Sequence, residues 1–378
     1  MSNMINLIQL IILNMMIGLL LGITPFISIE SMPFGISLPV NNQTKDMIKH
    51  QKKGYFILNM GISFILTLVI VTIGMTQKEL DLEKLIYISI GGLFIQLFVS
   101  LLAYVMKNKQ LKTYKKTLVS NQVQVKKVLV DLSFREEKII FPTSYLVALN
   151  FIFIILTVGY TVLHFQEIPE TFVTKWDASM NPVQWSQKSW ASVLAIPAMQ
   201  LFITFVMGIA NYSFLKAKQQ IDVNHPEQSV AQNKAFRKKS SLMNFVISGM
   251  IQILLMFVQM STVFQIITPQ MMMILSIIFT VLLLGLVLWL SFVYGQRGSR
   301  LKKVSKSTGK IDINNMTQTF DEDSHWKWGL VYFNPEDPSV WVEKRMGIGI
   351  TTNFARWQTW VFMTSLIVLP IVIVLLMS

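Results

Sequence analysis

The sequence alternates between long apolar stretches and polar segments. Eight apolar stretches each hold about the 20 residues that a helix needs to cross a hydrocarbon core of roughly 30 Å. None shows the alternating pattern of an outer-membrane strand, so each predicts a helix. We therefore predict an all-α polytopic membrane protein with eight transmembrane helices. The stretches lie at 5–27, 55–75, 85–106, 143–164, 190–214, 243–266, 271–294 and 357–377.

Positive charge falls in alternate polar segments. Of the 33 Lys and Arg residues, 4, 9, 6 and 10 lie in segments 28–54, 107–142, 215–242 and 295–356. Basic residues concentrate in the cytoplasmic loops of membrane proteins. The pattern therefore predicts four cytoplasmic loops, with the N-terminus and the C-terminus outside.

The net charge of +13 would suggest nucleic acid as a partner if the chain were soluble. In a membrane protein it predicts attraction to anionic lipid at the inner face, worth about 1 kcal/mol per basic residue near the surface. We predict this lipid contact and no direct binding of nucleic acid. The chain contains no Cys, which excludes disulfides, thiol catalysis and thiolate metal sites.

Catalytic signatures are missing from the sequence. No Asp, Glu, Lys or Arg lies inside a predicted span, which argues against a proton-coupled pump or a voltage sensor. The paired histidines of zinc proteases, the Gly-x-Ser-x-Gly elbow and the phosphate-binding loop are also absent. We therefore predict that the protein is not an enzyme and has no catalytic residue, no cofactor and no metal site.

Neutral amide side chains do occur in the predicted spans. Two interpretations fit them: hydrogen bonds between helices, or a polar-lined path through the bundle. The residues are Asn14, Asn59, Gln96, Asn150, Gln200, Asn211, Gln252 and Gln259. Gly18 and Gly22 have the spacing that allows close helix packing.

The loop lengths suggest a duplication. Long and short loops alternate, and the third and seventh spans both lead into long basic loops. Some transporters are built from two such parallel repeats. We interpret 1–164 as a first four-span half, with spans five to seven in 190–294 and the last span in 357–378.

Segment 165–189, here called the 165–189 loop, is the long polar segment predicted to lie outside. Its tryptophans suit the headgroup region, and its prolines interrupt any helix. It is either an interfacial connection between two spans or a recognition surface. The residues that we assign to a recognition surface are Pro169, Lys175, Trp176, Asp177, Pro182, Trp185 and Lys188.

Segment 295–356 predicts a polar linker followed by a small β-hairpin-containing cytoplasmic unit, here called the C-terminal module (321–356). Runs 330–333 and 340–343 predict strands, and 334–338 the turn between them. Gly347 and Gly349 fit either an anion-binding nest or a tight turn into the last span. The tryptophans of the module suit either a partner protein or lipid headgroups.

The 165–189 loop resembles a motif of a bacterial membrane protein family of unknown function, Leu-Pro-x-x-Ile-Pro-x-His-Trp/Phe-Asn…Gly-x-Pro-Asp-x-Trp-x-x-Lys. The motif also occurs in membrane immunity proteins that protect sporulating bacteria against their own sporulation-delaying toxin. Lys175 takes the place of the family His, and its ammonium group offers donors but no acceptor. Matching positions are Pro169, Thr174, Trp176, Ala178, Pro182, Trp185 and Lys188.

The C-terminal module is similar to a module of the same broad family, Trp-Lys-x-Gly-x-x-Tyr-x-Asn-Pro-x-Asp-Pro…Lys-Arg-x-Gly-x-Gly-x-Thr-x-Asn-Phe. Segments 33–40 and 296–300 resemble inner-loop motifs that follow the first and seventh spans of that family. The module residues that match are Trp326, Lys327, Gly329, Tyr332, Asn334, Pro335, Asp337, Pro338, Lys344, Arg345, Gly347, Gly349, Thr352, Asn353 and Phe354.

These resemblances imply a multi-pass protein of a bacterial cytoplasmic membrane. We predict a non-enzymatic immunity protein or envelope-signal sensor. Its 165–189 loop would meet a secreted peptide, and its C-terminal module would hold a regulatory protein inside the cell. The alternative is a transporter or lipid-handling protein built from two four-span repeats. The oligomeric state does not follow from the sequence.

Overall fold

The structure of the protein is a computed structural model. It describes residues 2–29, 31–38, 41–76, 82–119, 139–177, 181–218, 226–301 and 322–375. Within these ranges eight α-helices are each long and apolar enough to cross a membrane, which confirms the predicted fold class. They are α1 (Ser2–Ile27), α2 (Asn42–Thr76), α3 (Leu82–Val119), α4 (Thr143–Leu163), α5 (Trp190–Lys216), α6 (Pro226–Thr262), α7 (Pro269–Tyr294) and α8 (Trp357–Leu375).

Three helices continue beyond the apolar stretches that predicted them. α2 begins at Asn42 and α6 at Pro226, each more than ten residues before its apolar stretch, and α3 ends at Val119 rather than at 106. The added turns are rich in Lys and Gln, which favour helix nearly as well as Leu. Hydropathy marks the part of a helix that suits hydrocarbon, so it misses turns that continue into polar surroundings.

Six short strands form three separate antiparallel hairpins. The first joins β1 (Thr171–Trp176) to β2 (Pro182–Gln187) inside the 165–189 loop. The other two lie in the C-terminal module. They pair β3 (Trp326–Lys327) with β4 (Val331–Tyr332), and β5 (Trp341–Glu343) with β6 (Ile350–Thr352).

The pairing in the C-terminal module corrects one prediction. Runs 330–333 and 340–343 both contain strands, but these strands do not pair with each other across 334–338. β4 pairs back to β3, and β5 pairs forward to β6. Pro335 and Pro338 lack backbone N–H groups, so the segment between β4 and β5 is poorly suited to a hydrogen-bonded hairpin turn.

The chain divides into two compact units. The first unit comprises Met1–Lys127, Thr319–Phe333 and Lys344–Gly349, and the second comprises Val128–Gln318, Asn334–Glu343 and Ile350–Ser378. Helices α1 to α3 thus belong to the first unit and α4 to α8 to the second. The two four-span halves stay a prediction. A compact unit is a set of residues that pack together, whereas a repeat is a similarity between two parts of the chain, so the units do not test the repeat.

The core of the first unit is aromatic and lies at one end of its helices. Phe34 in the turn after α1 packs between Tyr55 of α2 and Tyr104 of α3, with ring centroids 5.6 and 5.4 Å apart. Ile36, Leu38 and Leu111 complete this buried cluster. Phe34 and Gly35 both adopt left-handed backbone angles, with φ of 49° and 77°. The turn therefore depends on a glycine and on a tightly buried aromatic ring.

Glycines on α1 allow close approach to α2. A Cβ atom at Gly18 would overlap the hydroxyl of Ser63, and one at Gly22 would lie 2.9 Å from the Phe56 ring. The small-residue spacing noted in the sequence therefore serves packing between two helices of one chain.

The second unit is built around three helices. α4, α5 and α6 all contact one another, while α7 contacts α6 and α8 contacts α5. The most apolar window of α7 has no buried residue, and that of α8 has almost none. α4, α5 and α6 therefore form the interior of this unit, and the surfaces of α7 and α8 suit lipid.

We expect Gly18→Ala to destabilise the protein by about 1–3 kcal/mol, because the added methyl group would force α1 away from Ser63. The measurement is the melting temperature of the purified protein in mild detergent. Gly61→Ala on α2 is the matched control, since a Cβ atom there meets nothing within 4 Å. An equal melting temperature for both variants would contradict the close contact.

Candidate functional site

The 165–189 loop stands on a fixed apolar base. Ile168 and Phe172 are fully buried against Val193 at the start of α5 and Val263 just after α6. Phe165 flanks this cluster and stacks on Trp190, with ring centroids 4.1 Å apart. The hairpin is therefore held to the ends of two helices rather than hanging from them as a mobile connection.

Lys188 closes the base of the hairpin. Its ammonium donates to the backbone oxygen of Ile168 at 2.9 Å and lies 4.8 Å from the centre of the Phe165 ring. Glu170 is 3.9 Å away but almost fully exposed, so this ion pair contributes little. Of the predicted recognition residues, Lys188 thus has a structural role at the base.

The other side of the hairpin faces solvent. Every residue of β2 is exposed except Ser186. Pro169 and Lys175 are exposed, whereas Trp176 and Asp177 are partly buried. Asp177 accepts hydrogen bonds from the backbone and side chain of Asn181 and so stabilises the hairpin turn. Exposed residues that lie on both sides of β2, together with Lys175 of β1, are here called the hairpin face: Lys175, Pro182, Val183, Gln184 and Trp185.

In the first unit the C-terminal module is held by a buried ion pair. The Arg345 guanidinium donates to Asp323 and to the backbone oxygen of Gly35, and it lies 5.2 Å from the Trp326 ring centre. Lys115 of α3 contacts the same carboxylate at 2.5 Å. Burial alone would raise the pKa of Asp323, but Arg345 and Lys115 outweigh burial and lower it below its usual value.

Two left-handed turns touch beside this ion pair. Trp328 and Gly329 have φ of 54° and 72° in the turn between β3 and β4. A Cβ atom at Gly35 would lie 2.6 Å from the Cα of Gly329, and Asn108 of α3 donates to the backbone oxygen of Phe34 at 2.8 Å. Only glycines allow this approach, and it leaves the Trp328 side chain more than half exposed.

In the second unit a buried carboxylate lies between two arginines. Glu343 of β5 accepts hydrogen bonds at 2.8 Å from Arg237 and Asn233 of α6, and the Nε atom of Arg297 lies 2.8 Å from its other oxygen. Arg237 is 1% exposed and also donates to the backbone oxygens of Phe214 and Ala217 near the end of α5. The cluster ties α5, α6, the turn after α7 and β5 together.

The segment between β4 and β5 is held by side chains from three places. Asn353, completely buried, donates to the backbone oxygens of Asn334 and Asp337 and accepts from the Asn334 N–H. Lys218, which follows α5, pairs with the Asp337 carboxylate at 3.0 Å. Arg356 donates to the backbone oxygen of Asp337 at 2.8 Å. These residues fix the loop in place of a β-turn.

The remaining predicted module residues are an aromatic pair, two lysines and two glycines. Tyr332 packs against Trp326 within the first unit, with ring centroids 5.1 Å apart, while Lys327 and Lys344 are exposed. Gly347 and Gly349 both have positive φ. The N–H of Gly347 donates to Ser28, so it is not available to an anion and the tight-turn interpretation fits better.

Sequence analysis missed the charged residues at the centre of both clusters: Asp323, Arg237, Arg297 and Glu343. Arg237 lies in a basic run that looked like an ordinary topological signal. Its partner Glu343 is 106 residues away, and no local pattern indicates which charge of such a run is buried. In the part of the chain that the structure describes, no cluster of three or more His, Asp or Glu side chains could hold a metal ion.

Two families of unknown function match parts of this chain. The domain of unknown function DUF1648 matches residues 152–201, which include the whole 165–189 loop with parts of α4 and α5. The family of unknown function DUF5808 matches residues 335–360, from the segment before β5 into α8. No curated protein and no solved structure shows a significant match. The first match thus contains the whole 165–189 loop, and the second contains the part of the C-terminal module that begins at Pro335.

We expect Glu343→Gln to destabilise the protein by about 3–5 kcal/mol, because it removes the negative charge that two buried guanidinium groups share. The measurement is the melting temperature in mild detergent. Glu336→Gln is the control, since Glu336 is exposed seven residues earlier and should change stability by no more than about 0.5 kcal/mol. Similar melting temperatures for both variants would contradict the cluster.

The lowered pKa of Asp323 predicts a pH dependence. A carboxylate whose folded pKa lies below its unfolded value stabilises the fold above about pH 4, and this contribution is lost as pH falls through the folded pKa. We expect wild type to melt at a higher temperature than Asp323→Asn at pH 7, and the difference to shrink towards pH 3. A difference that stays constant over this range would contradict the ion pair.

Proposed function

We propose that the protein is a non-enzymatic membrane protein of the immunity or envelope-signal sensor type, acting in a bacterial cytoplasmic membrane. The observation that carries the proposal is the hairpin face. It presents Pro182, Val183 and Trp185 to solvent on a hairpin whose base is locked against α5 and α6. An exposed aromatic group on a rigid support is what a protein or peptide ligand needs as an anchor.

The sidedness of the proposal follows from the charge pattern. The basic loops come after the first, third, fifth and seventh spans, so the 165–189 loop after α4 faces outward and the C-terminal module faces the cytoplasm. The N-terminus and the C-terminus are then both outside. The anionic lipid of the inner leaflet attracts the basic turns of α2, α3 and α6.

The ligand that suits the hairpin face is an extended secreted peptide. A two-stranded hairpin has strand edges that a third strand can join, and main-chain hydrogen bonds supply affinity in such additions. Val183 and Trp185 offer apolar contact, while Lys175 offers a cation for an acidic group of the peptide.

The inner partner of the proposal is a regulatory protein held at the C-terminal module. Trp328 and Phe333 are exposed at the β3–β4 hairpin, and Trp328 is held in an unfavourable left-handed conformation. Strain of this kind is commonly retained where a side chain has to be presented to a partner.

A transporter or lipid-handling protein is the second candidate function. The observation in its favour is the row of buried amide and hydroxyl side chains between α4, α5 and α6. Polar side chains inside a membrane bundle often line substrate paths. This candidate does not need the hairpin face to bind a ligand.

The test is a deletion strain challenged with secreted antimicrobial peptides and envelope-active antibiotics. We expect selective sensitivity to one peptide, restored by wild type and lost again with Trp185→Ala, because the anchor of the hairpin face is gone. Trp289→Ala on α7 is the matched control, with 54% exposure against 53% for Trp185. It should protect as well as wild type.

Two results would overturn the immunity function. One is unchanged sensitivity of the deletion strain to every agent. The other is full protection by Trp185→Ala at wild-type expression, which would remove the hairpin face as the recognition site.

A further inference from the structure

A continuous row of polar side chains runs between α4, α5 and α6, here called the polar seam. Successive members are four or seven residues apart on α4, α5 and α6, so each helix contributes one face. All are at most 5% exposed. They are Asn150, Thr157 and Thr161 on α4, Gln200, Thr204 and Asn211 on α5, and Ser241, Ser248, Gln252 and Gln259 on α6.

The polar seam extends through most of the thickness of a bilayer. At one end Asn211 bonds to Thr143 and Ser241, and at the other Gln259 bonds to Thr161 and to the backbone oxygen of Val193. On each helix the two ends are 18 residues apart, or about 27 Å at 1.5 Å per residue. The hydrocarbon core measures roughly 30 Å.

The side-chain orientation of Gln200 is determined by its neighbours. Its Nε2 donates to the backbone oxygen of Gln252 at 3.4 Å and to Thr157 at 3.3 Å. A backbone oxygen can only accept, and the Thr157 hydroxyl already donates to Phe153. The amide nitrogen must therefore face both partners, and the Oε1 atom must point elsewhere.

Gln252 and Gln259 are oriented by the same logic. Gln252 donates to the backbone oxygen of Gln200 at 3.0 Å, and Gln259 donates to that of Val193 at 3.1 Å. If either amide were flipped, its oxygen would face a backbone oxygen, which cannot donate a hydrogen bond. The assignment of oxygen and nitrogen in both side chains is therefore not arbitrary. Among the described residues Asn150 bonds to the Ser248 hydroxyl, which can both donate and accept and so does not determine the orientation of the Asn150 amide.

Three amide oxygens in the polar seam consequently lack a donor from the described residues. They are the Oε1 atoms of Gln200, Gln252 and Gln259, all completely buried. A buried carbonyl oxygen normally receives at least one hydrogen bond. A cation there would have no carboxylate on the seam to balance it, and an anion would meet oxygens rather than donors. A small uncharged donor is the chemistry that fits.

We propose that the polar seam binds water, with ordered water molecules donating to the Oε1 atoms of Gln200, Gln252 and Gln259. Buried waters typically bond to polar groups that the protein leaves unsatisfied. The seam ends beneath the apolar base of the 165–189 loop, because Val193 packs against Phe172 and its backbone oxygen binds Gln259. The proposal is independent of the immunity function. Bound water would give the second candidate function, a transporter or lipid-handling protein, the polar interior that it needs.

The test is radiolytic footprinting of the full-length protein in phosphatidylcholine–phosphatidylglycerol nanodiscs. Hydroxyl radicals formed from a bound water oxidise the side chains beside it. Ile154 lies on the seam face of α4, and Ile373 on α8 is equally buried at 9% exposure. We expect Ile154 to be oxidised faster than Ile373 by about tenfold or more. Equal oxidation of the two residues would overturn the proposal.

Variants test whether the glutamines hold the water. The double variant Gln200→Met with Gln252→Met keeps side-chain length but removes the oxygens, and it should reduce oxidation of Ile154 to the level of Ile373. Gln96→Met changes an equally buried glutamine of the first unit and should leave Ile154 unaffected. Unchanged oxidation in the double variant would overturn the assignment. If the double variant does not fold, the single variant Gln259→Met takes its place. The comparison of Ile154 with Ile373 in the wild-type protein needs no variant.

Discussion

Helices surrounded by lipid gain little from pressing apolar side chains together, because lipid tails are equally apolar. Polar bonds and close backbone contacts therefore determine which helix faces meet. In the first unit Asn14 donates to the backbone oxygen of Ser63, Ser63 bonds back to Asn14, and Gln96 donates to the Ser63 hydroxyl. In the second unit the polar seam has this role. The large exposed Leu, Ile and Phe side chains of the bundle do not determine which helix faces meet, and they suit the surrounding lipid.

In each unit a buried arginine–carboxylate pair lies at its part of the C-terminal module. A buried arginine pairs with a carboxylate, Arg345 with Asp323 in the first unit and Arg237 with Glu343 in the second. Beside each pair lies a turn of two left-handed residues ending in glycine, Phe34–Gly35 in one case and Arg297–Gly298 in the other. Buried ion pairs add little net stability but strongly penalise arrangements that separate them. They suit segments whose contacts within each unit have to keep one arrangement.

The sequence was sufficient for the helices and for the presence of small β-hairpins, because both depend on local composition. Hydropathy identified all eight helices but underestimated α2, α3 and α6, whose polar turns carry no apolar signal. The strand residues of the module were recognised from their composition, whereas their pairing was wrong because it depends on Asn353, Lys218 and Arg356. The sequence showed that amide residues lie inside the predicted spans. That Gln200 and Gln252 bond to each other's backbone became clear only from the packing of α5 on α6.

The base of the 165–189 loop gives the hairpin a mechanical connection to the interior of the second unit. Phe172 of β1 is buried against Val193, and the backbone oxygen of Val193 is the acceptor for Gln259. A ligand that tilts β1 must either open the contact with Val193 or carry the first turn of α5 along. If the first turn of α5 moves, the hydrogen bond between Val193 and Gln259, at the end of the row of glutamines, has to change. The contact between Phe172 and Val193 thus connects the hairpin to the row of glutamines.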